Sequence, residues 1–286
     1  MSKRFLVAFV IAAVFAGGAA AQASPDTLGR IKAAKAINVG YSPDSLPFSF
    51  TGPNNTPTGY SIDLCQRVIT AIGRAVGVPD LKVNWLAGSV SERLDMVATG
   101  RADLECANTS QTLSRLAKVD FSNLIFVDAG GILVKAGSPV NAFTDLNGKR
   151  IAVLKGTTTE THLNNALRRG LVNATVVTIT DPNDGIAKLV SGDVDAYAGD
   201  KIKLVGLAVQ AAGSTRFAFL TEELSMEPYG LAVPRNDSAF RLEVNKALSQ
   251  VYSSGEISEI FEHWLGKLGR PSDLLQVMYI LNSIPE

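Results

Sequence analysis

The 286-residue chain carries 27 Lys and Arg against 27 Asp and Glu, for a formal net charge of zero. Its charges are interspersed and form no basic stripe, which argues against a nucleic-acid partner. Two distant cysteines, Cys65 and Cys106, and two isolated histidines, His162 and His263, argue against a metal site.

In chain order, Lys3 and Arg4 precede an apolar run over 5–16, and small residues then lead to Ala21-Gln22-Ala23. This is the pattern of an export signal cleaved near Ala23. No cysteine stands at the cleavage point to carry a lipid. No stretch reaches the roughly 18 apolar residues of a membrane span. Cleavage would leave 25 basic and 27 acidic residues, a formal charge of −2. The roughly 260 residues that remain exceed the usual single-domain size, so two lobes are expected. In an oxidising compartment Cys65 and Cys106 are either bridged or a pair of buried thiols, and spacing does not choose between these.

Strands and helices alternate from there: a strand at 37–41, an amphipathic helix at 62–76, a strand at 81–85, a helix at 91–98 and a strand at 102–107. The series then repeats, with a strand at 151–155, helix 160–169, strand 175–179, helix 183–190 and strand 194–198. This is an α/β pattern. The two halves superimpose without a gap over 97–108 and 189–200, aligning Gly100 with Gly192, Asp103 with Asp195 and Asn108 with Asp200. The glycines suit the left-handed position that ends a helix. Asn108 and Asp200 fall beyond the carboxyl ends of their strands, where ligands of open α/β sheets bind; capping of the following loops is the competing role. The runs at 126–139 and 226–237 read as the outward and return crossovers of a two-strand hinge. Helices at 238–253 and 257–267 follow, and the segment from Arg270 reads as a short surface helix.

One turn invites an anion. The strand at 151–154 passes through Gly156 into Thr157, Thr158 and Thr159, so unpaired helix amides and threonine hydroxyls point one way. Thr157 and Glu160 also have capping-box spacing, which accounts for the same residues without a ligand.

The runs PTGYSIDLCQRV, GRADLECANTS, TLSRLAKVDFS, VLKGTTTE, SGDVDAYAGD, YGLAVPR and SGEISEIFEHWL together resemble the periplasmic amino-acid-binding proteins of ABC importers, the family-3 solute-binding proteins, and within them the glutamate/aspartate-type branch. The resemblance implies a two-lobed periplasmic binding protein fold of type II with two crossover strands. It divides the chain into lobe 1 at 24–132, lobe 2 at 133–228, a return to lobe 1 at 229–270 and a C-terminal segment at 271–286. It further implies a periplasmic monomer that closes on one free amino acid, without cofactor or chemistry, and delivers it to an inner-membrane permease.

By the same resemblance Arg115 forks onto the ligand α-carboxylate, Thr109 and Ser110 lie beside it, and Thr157, Thr158 and Thr159 supply the second-lobe loop. Asp200 accepts the α-ammonium, and Arg93 matches a further arginine of the branch; Asn108 remains a ligand candidate from its strand-end position in the other lobe. Ser42 replaces the branch's side-chain-binding arginine and Pro182 its histidine, so the acidic ligand does not carry over. Phe50 and Phe48 are candidates for an apolar wall, one of them for the core. A polar ligand of the glutamine/glutamate class is the expectation. Two other readings stand beside the carrier: an enzyme like cyclohexadienyl dehydratase on the same fold, with Glu160 or Glu105 as general acid, and a sensing module for a receptor.

Overall fold

A computed structural model describes residues 26–285 apart from 212 and 214, so the expected leader at 1–23 lies outside the described residues. The first half opens with α1 (Thr27–Ala34) and β1 (Ala36–Tyr41). A small antiparallel sheet follows, built from β2 (Asp44–Ser45), β3 (Ser49–Thr51) and β4 (Pro57–Thr58). Next come α2 (Tyr60–Ala75), β5 (Lys82–Ala87), α3 (Val90–Ala98), β6 (Leu104–Cys106) and α4 (Leu113–Leu116). Helix α2 buries Leu64, Cys65, Val68, Ile69 and Ile72, the i, i+3, i+4 stripe that its sequence encodes.

Strand β7 (Asp120–Lys135) leads into the second half: β8 (Arg150–Leu154), α5 (Thr158–Arg169), β9 (Thr175–Ile179), α6 (Pro182–Ser191), β10 (Ala196–Asp200), α7 (Lys201–Ala211) and β11 (Phe217–Phe219). Strand β12 (Ser225–Val233) returns, followed by α8 (Ser238–Ser253), α9 (Glu256–Leu265) and α10 (Asp273–Asn282).

The main sheet runs β5-β1-β6-β12-β7-β10-β8-β9, with β11 on β7. Each half is parallel and has its second strand outermost, its first in the middle and its third inward. The two halves therefore share one topology, as their aligned sequences require. The repeat extends to single bonds. The Asp103 amide donates to Asn38 O at 2.8 Å and its carboxylate accepts the Asn38 amide at 2.9 Å; Asp195 makes the same pair with Arg150, both at 2.8 Å. Gly100 and Gly192 have φ of 74° and 89°, the left-handed turn a side chain would strain.

The long strands β7 and β12 pair antiparallel through the middle and join the halves. One core gathers side chains from α1, β1, α2, β6 and the returning α8, α9 and α10, while two others lie within 132–224. This is a two-lobed α/β architecture with two crossover strands. Where the sequence reads a surface helix after Arg270, α10 in fact buries Leu275, Met278 and Tyr279, and the Tyr279 hydroxyl lies 2.8 Å from that of Tyr60. Its apolar residues fall on two faces, and only one of them reaches the core.

A covalent bridge joins Cys65 on α2 to Cys106 at the end of β6, with Cα atoms 6.2 Å apart. It fastens the helix to the strand end that leads to Asn108. A polar chain crosses the hinge pair: the Tyr229 hydroxyl on β12 donates to Asp200 at 2.6 Å and lies 3.2 Å from the Asp128 carboxyl on β7. Burial, then the charge of Asp200, lifts the Asp128 carboxyl from its ordinary 3.8 to about 7, against the pull of the Ala129 and Ile202 amides and the Tyr229 hydroxyl.

Two outcomes follow for stability. Replacing both cysteines by serine should cost roughly 3–4 kcal/mol for a bridge closing a 41-residue separation; an unchanged urea midpoint in oxidising buffer would contradict the bridge. For Asp128 the folded state keeps a proton that the unfolded chain releases near pH 4. Its contribution is complete below that pH and is lost as pH rises to about 7, with a slope of at most about 1.4 kcal/mol per pH unit. Denaturation from pH 4 to 8 should therefore give a shallower decline for Asp128→Asn than for wild type. Equal slopes would show that Asp128 does not carry this proton.

Candidate functional site

The strand ends of the two lobes face a cleft of about 340 Å³, a volume suited to a small metabolite. From lobe 1, β6 ends at Cys106 and the chain continues through Asn108 and Ser110 into α4, whose single turn places Arg115 in the lining. The turn is capped by the Thr112 hydroxyl, which accepts the Arg115 amide at 3.2 Å. The Arg115 guanidinium donates from Nη1 to Ser110 O at 2.7 Å, and its remaining donors are unclaimed among the described residues. Burial lowers its pKa, opposed by the charges of Glu105, Glu227 and Asp200. It remains a cation, poorly hydrated and incompletely bonded.

Asp200 stands at the end of β10 on the lobe 2 side. Its Oδ2 accepts the Tyr229 hydroxyl at 2.6 Å and the Asn108 amide at 3.2 Å, and its Oδ1 accepts the Thr159 hydroxyl at 3.0 Å. Burial and the nearby Glu227 raise its pKa, while the Tyr229 and Thr159 hydroxyls and Lys203 oppose this. Arg115 and Asp200 thus present opposite charges to one cleft from different lobes without pairing.

The threonine turn serves both of its readings. Thr157 caps α5 by accepting the Glu160 amide at 3.2 Å, and Glu160 accepts the Gly156 amide at 2.7 Å, a capping arrangement moved back by one residue. Thr158 and Thr159 point elsewhere: Thr158 donates to Glu227 at 2.7 Å and Thr159 to Asp200. All three threonines line the cleft.

The other sequence candidates divide. Arg93 lines the cleft, but its guanidinium is engaged by Glu105 at 2.7 Å, Gly88 O at 2.7 Å and the Thr109 hydroxyl at 3.3 Å. Thr109 lies behind the lining and donates to the same Glu105 oxygen at 2.7 Å. Ser42 is buried beside the lining and its hydroxyl bonds Asp44 at 2.9 Å and Ser45 at 2.8 Å. Phe50 lies outside the lining, edge-on to Trp264, and Phe48 is fully buried in an aromatic group with Tyr60, Phe126 and Tyr229. Phe48 is thus the core member of that pair.

Two charged groups of the site were absent from the sequence reading. Glu227, on the return strand β12, is wholly buried; it accepts the hydroxyls of Ser110 at 2.5 Å from lobe 1 and of Thr158 from lobe 2. Lys203, on α7, reaches the Ser45 hydroxyl of lobe 1 at 3.0 Å. Neither stands in a motif, although Glu227 adjoins the matched run YGLAVPR. The helix carrying Lys203 was itself missed, because the carboxylate that holds its Ile202 amide at 3.1 Å comes from Asp128, far away in sequence.

The model of the bacterial extracellular solute-binding proteins, family 3, matches residues 37–267. The L-glutamate/L-aspartate-binding protein of Pseudomonas aeruginosa is 30% identical over 256 residues, covering 89% of this chain and 85% of that protein. A glutamate/aspartate import solute-binding protein of Escherichia coli is 29% identical, covering 89% and 84%. Among solved structures, an ancestral arginine-binding protein bound to arginine superposes with a TM-score of 0.73 at 27% identity, covering 81% of this chain and 99% of that one. The repeated topology and paired crossover strands match the type II periplasmic binding fold of such neighbours. With these strand-end charges facing one cleft and a family match that spans most of its length, the chain belongs to the bacterial extracellular solute-binding proteins, family 3.

Proposed function

We propose that this protein is exported, captures a free polar α-amino acid of the glutamine/glutamate class between lobe 1 (24–132 and 229–270) and lobe 2 (133–228), and delivers it as a monomer to the permease of an ABC importer. The observation that carries this reading is the facing of Arg115 and Asp200 across one cleft. A zwitterion matches both: the planar guanidinium gives its carboxylate two charge-assisted bonds, and the Asp200 carboxylate accepts its ammonium. The amides of the threonine turn complete the carboxylate end, with Ser110 and Thr158 held beside it by Glu227 and with Asn108 and Thr159 orienting Asp200.

Binding drives closure because the ligand touches both lobes. Only a ligand with higher affinity for the closed form shifts that equilibrium. Lys203 on Ser45 and Asn108 on Asp200 are contacts of this closed arrangement. The carrier reading is favoured over the enzyme because neither nominated acid lines the cleft: Glu105 is buried behind it with Oε1 held by Arg93 and Thr109, and Glu160 is drawn back onto the Gly156 amide. The relatives named for glutamate and aspartate are binding proteins, which supports the same choice.

Arg115→Ala should weaken amino-acid binding by about 2–5 kcal/mol, since it leaves a carboxylate unpaired in a closed cleft. Calorimetry giving an affinity within a few-fold of wild type would remove Arg115 from the site. In a thermal-shift panel of the standard amino acids on ligand-stripped protein, the cognate one at 100 times its Kd should stabilise the fold by about 2.7 kcal/mol. A panel without any response would contradict the amino-acid reading.

A further inference from the structure

Once the α-carboxylate and α-ammonium are assigned to Arg115 and Asp200, the remaining charges of the cleft lining separate by their partners. Arg93 is neutralised by Glu105, and Lys155 is exposed to water. Lys203 and Asp44 are left. Lys203 is only 9% exposed, and its ammonium has three donors, of which one is used, on the Ser45 hydroxyl. Asp44 accepts the Ser42 hydroxyl at Oδ1, while Oδ2 has no partner among the described residues. The two side chains line the same cleft and Asp44 is the carboxylate acting most strongly on Lys203, yet they form no ion pair.

We propose, resting on the amino-acid reading above, that Lys203 and Asp44 together recognise a primary carboxamide at the end of the ligand side chain, so that the bound amino acid is glutamine or asparagine rather than either acid. A primary carboxamide serves both from one planar group, with a carbonyl acceptor at one corner and a two-donor NH2 at the other. Its carbonyl accepts from the Lys203 ammonium, and its NH2 donates to Asp44 Oδ2. A carboxylate offers only acceptors and sets a second negative charge beside Asp44. An ammonium or guanidinium meets Lys203 with like charge. An alkyl chain leaves a buried lysine without the bonds it gave up in water, which burial makes costly. The pair is neutral as a whole, and a neutral polar group completes it.

The residues also explain how this cleft departs from the pattern of its branch. Ser42, at the place of the missing arginine, positions the two groups through its hydroxyl: it bonds Asp44 directly and Ser45 at 2.8 Å, and Ser45 in turn holds Lys203. Lys203 enters from lobe 2 while Asp44 belongs to lobe 1, so a carboxamide between them adds a second bridge across the closed cleft.

The test is calorimetry of the ligand-stripped, refolded mature protein with glutamine, asparagine, glutamate and aspartate, on wild type, Asp44→Asn and Lys203→Met. Circular dichroism and melting midpoints establish that each variant is folded. In wild type the better amide should bind at least about tenfold tighter than its own acid. Asp44→Asn should shrink that ratio by a similar factor, mainly by improving the acid, and Lys203→Met should weaken the amide by at least about tenfold. An acid that binds wild type more tightly than its amide overturns the proposal, as does a ratio unmoved by Asp44→Asn. If amino acids bind through Arg115 with such a ratio, only this inference fails. If none of the twenty standard amino acids binds, the amino-acid reading fails and takes this inference with it.

Discussion

A guanidinium and a carboxylate, Arg115 and Asp200, face the same cleft from different lobes and do not pair. Each has lost much of its water, and the opposing pKa shifts express that cost: burial pushes the arginine down and the aspartate up. A dipolar guest of the right length relieves both at once, whereas the protein alone relieves them only in part, through Ser110 O on one side and Tyr229, Thr159 and Asn108 on the other. In the proposed capture of an amino acid, residual desolvation of fixed charges is the source of both affinity and closure.

The hinge is chemically continuous with that site. Tyr229 on β12 bonds Asp128 on β7 and Asp200 at the end of β10, and Glu227 on the same return strand accepts hydroxyls from both lobes. The crossover strands are consequently more than tethers, since their side chains bear on the ionisation of Asp200 and the hydrogen bonding of Ser110 and Thr158. Close packing bears on the approach of the lobes as well: a Cβ at Gly206 of α7 would sit 3.0 Å from Leu46 O of lobe 1, so a larger residue there would have to push the two apart by a few tenths of an ångström.

Much of this was legible in the sequence wherever the signal was local or repeated. Period and capping located α2, α5, α6 and α8 to within a residue or two, and the gapless alignment of 97–108 with 189–200 anticipated matching strands, to which the structure adds the equivalent backbone pairs of Asp103 and Asp195. Resemblance placed Arg115, Asp200 and the threonine turn, and all line the cleft. Failures occurred where the determining contact was distant. Helix α7 starts on a carboxylate from β7, the buried side of α10 depends on Tyr60, and Glu227 and Lys203 acquire their positions only when the lobes meet. Ser42 was placed by its match to the branch's arginine position and Phe50 by its apolar character, but the small sheet of β2, β3 and β4 turns Ser42 inward behind the lining and Phe50 toward Trp264.

The most direct measurement is a crystal structure of the mature protein loaded with its amino acid. The account predicts two parallel bonds of about 2.8 Å from the Arg115 guanidinium to the α-carboxylate, and the α-ammonium within about 3 Å of the Asp200 carboxylate. An occupant seated in the cleft with the Arg115 fork turned to solvent, or with Asp200 still bonded only to Tyr229, Thr159 and Asn108, would contradict it.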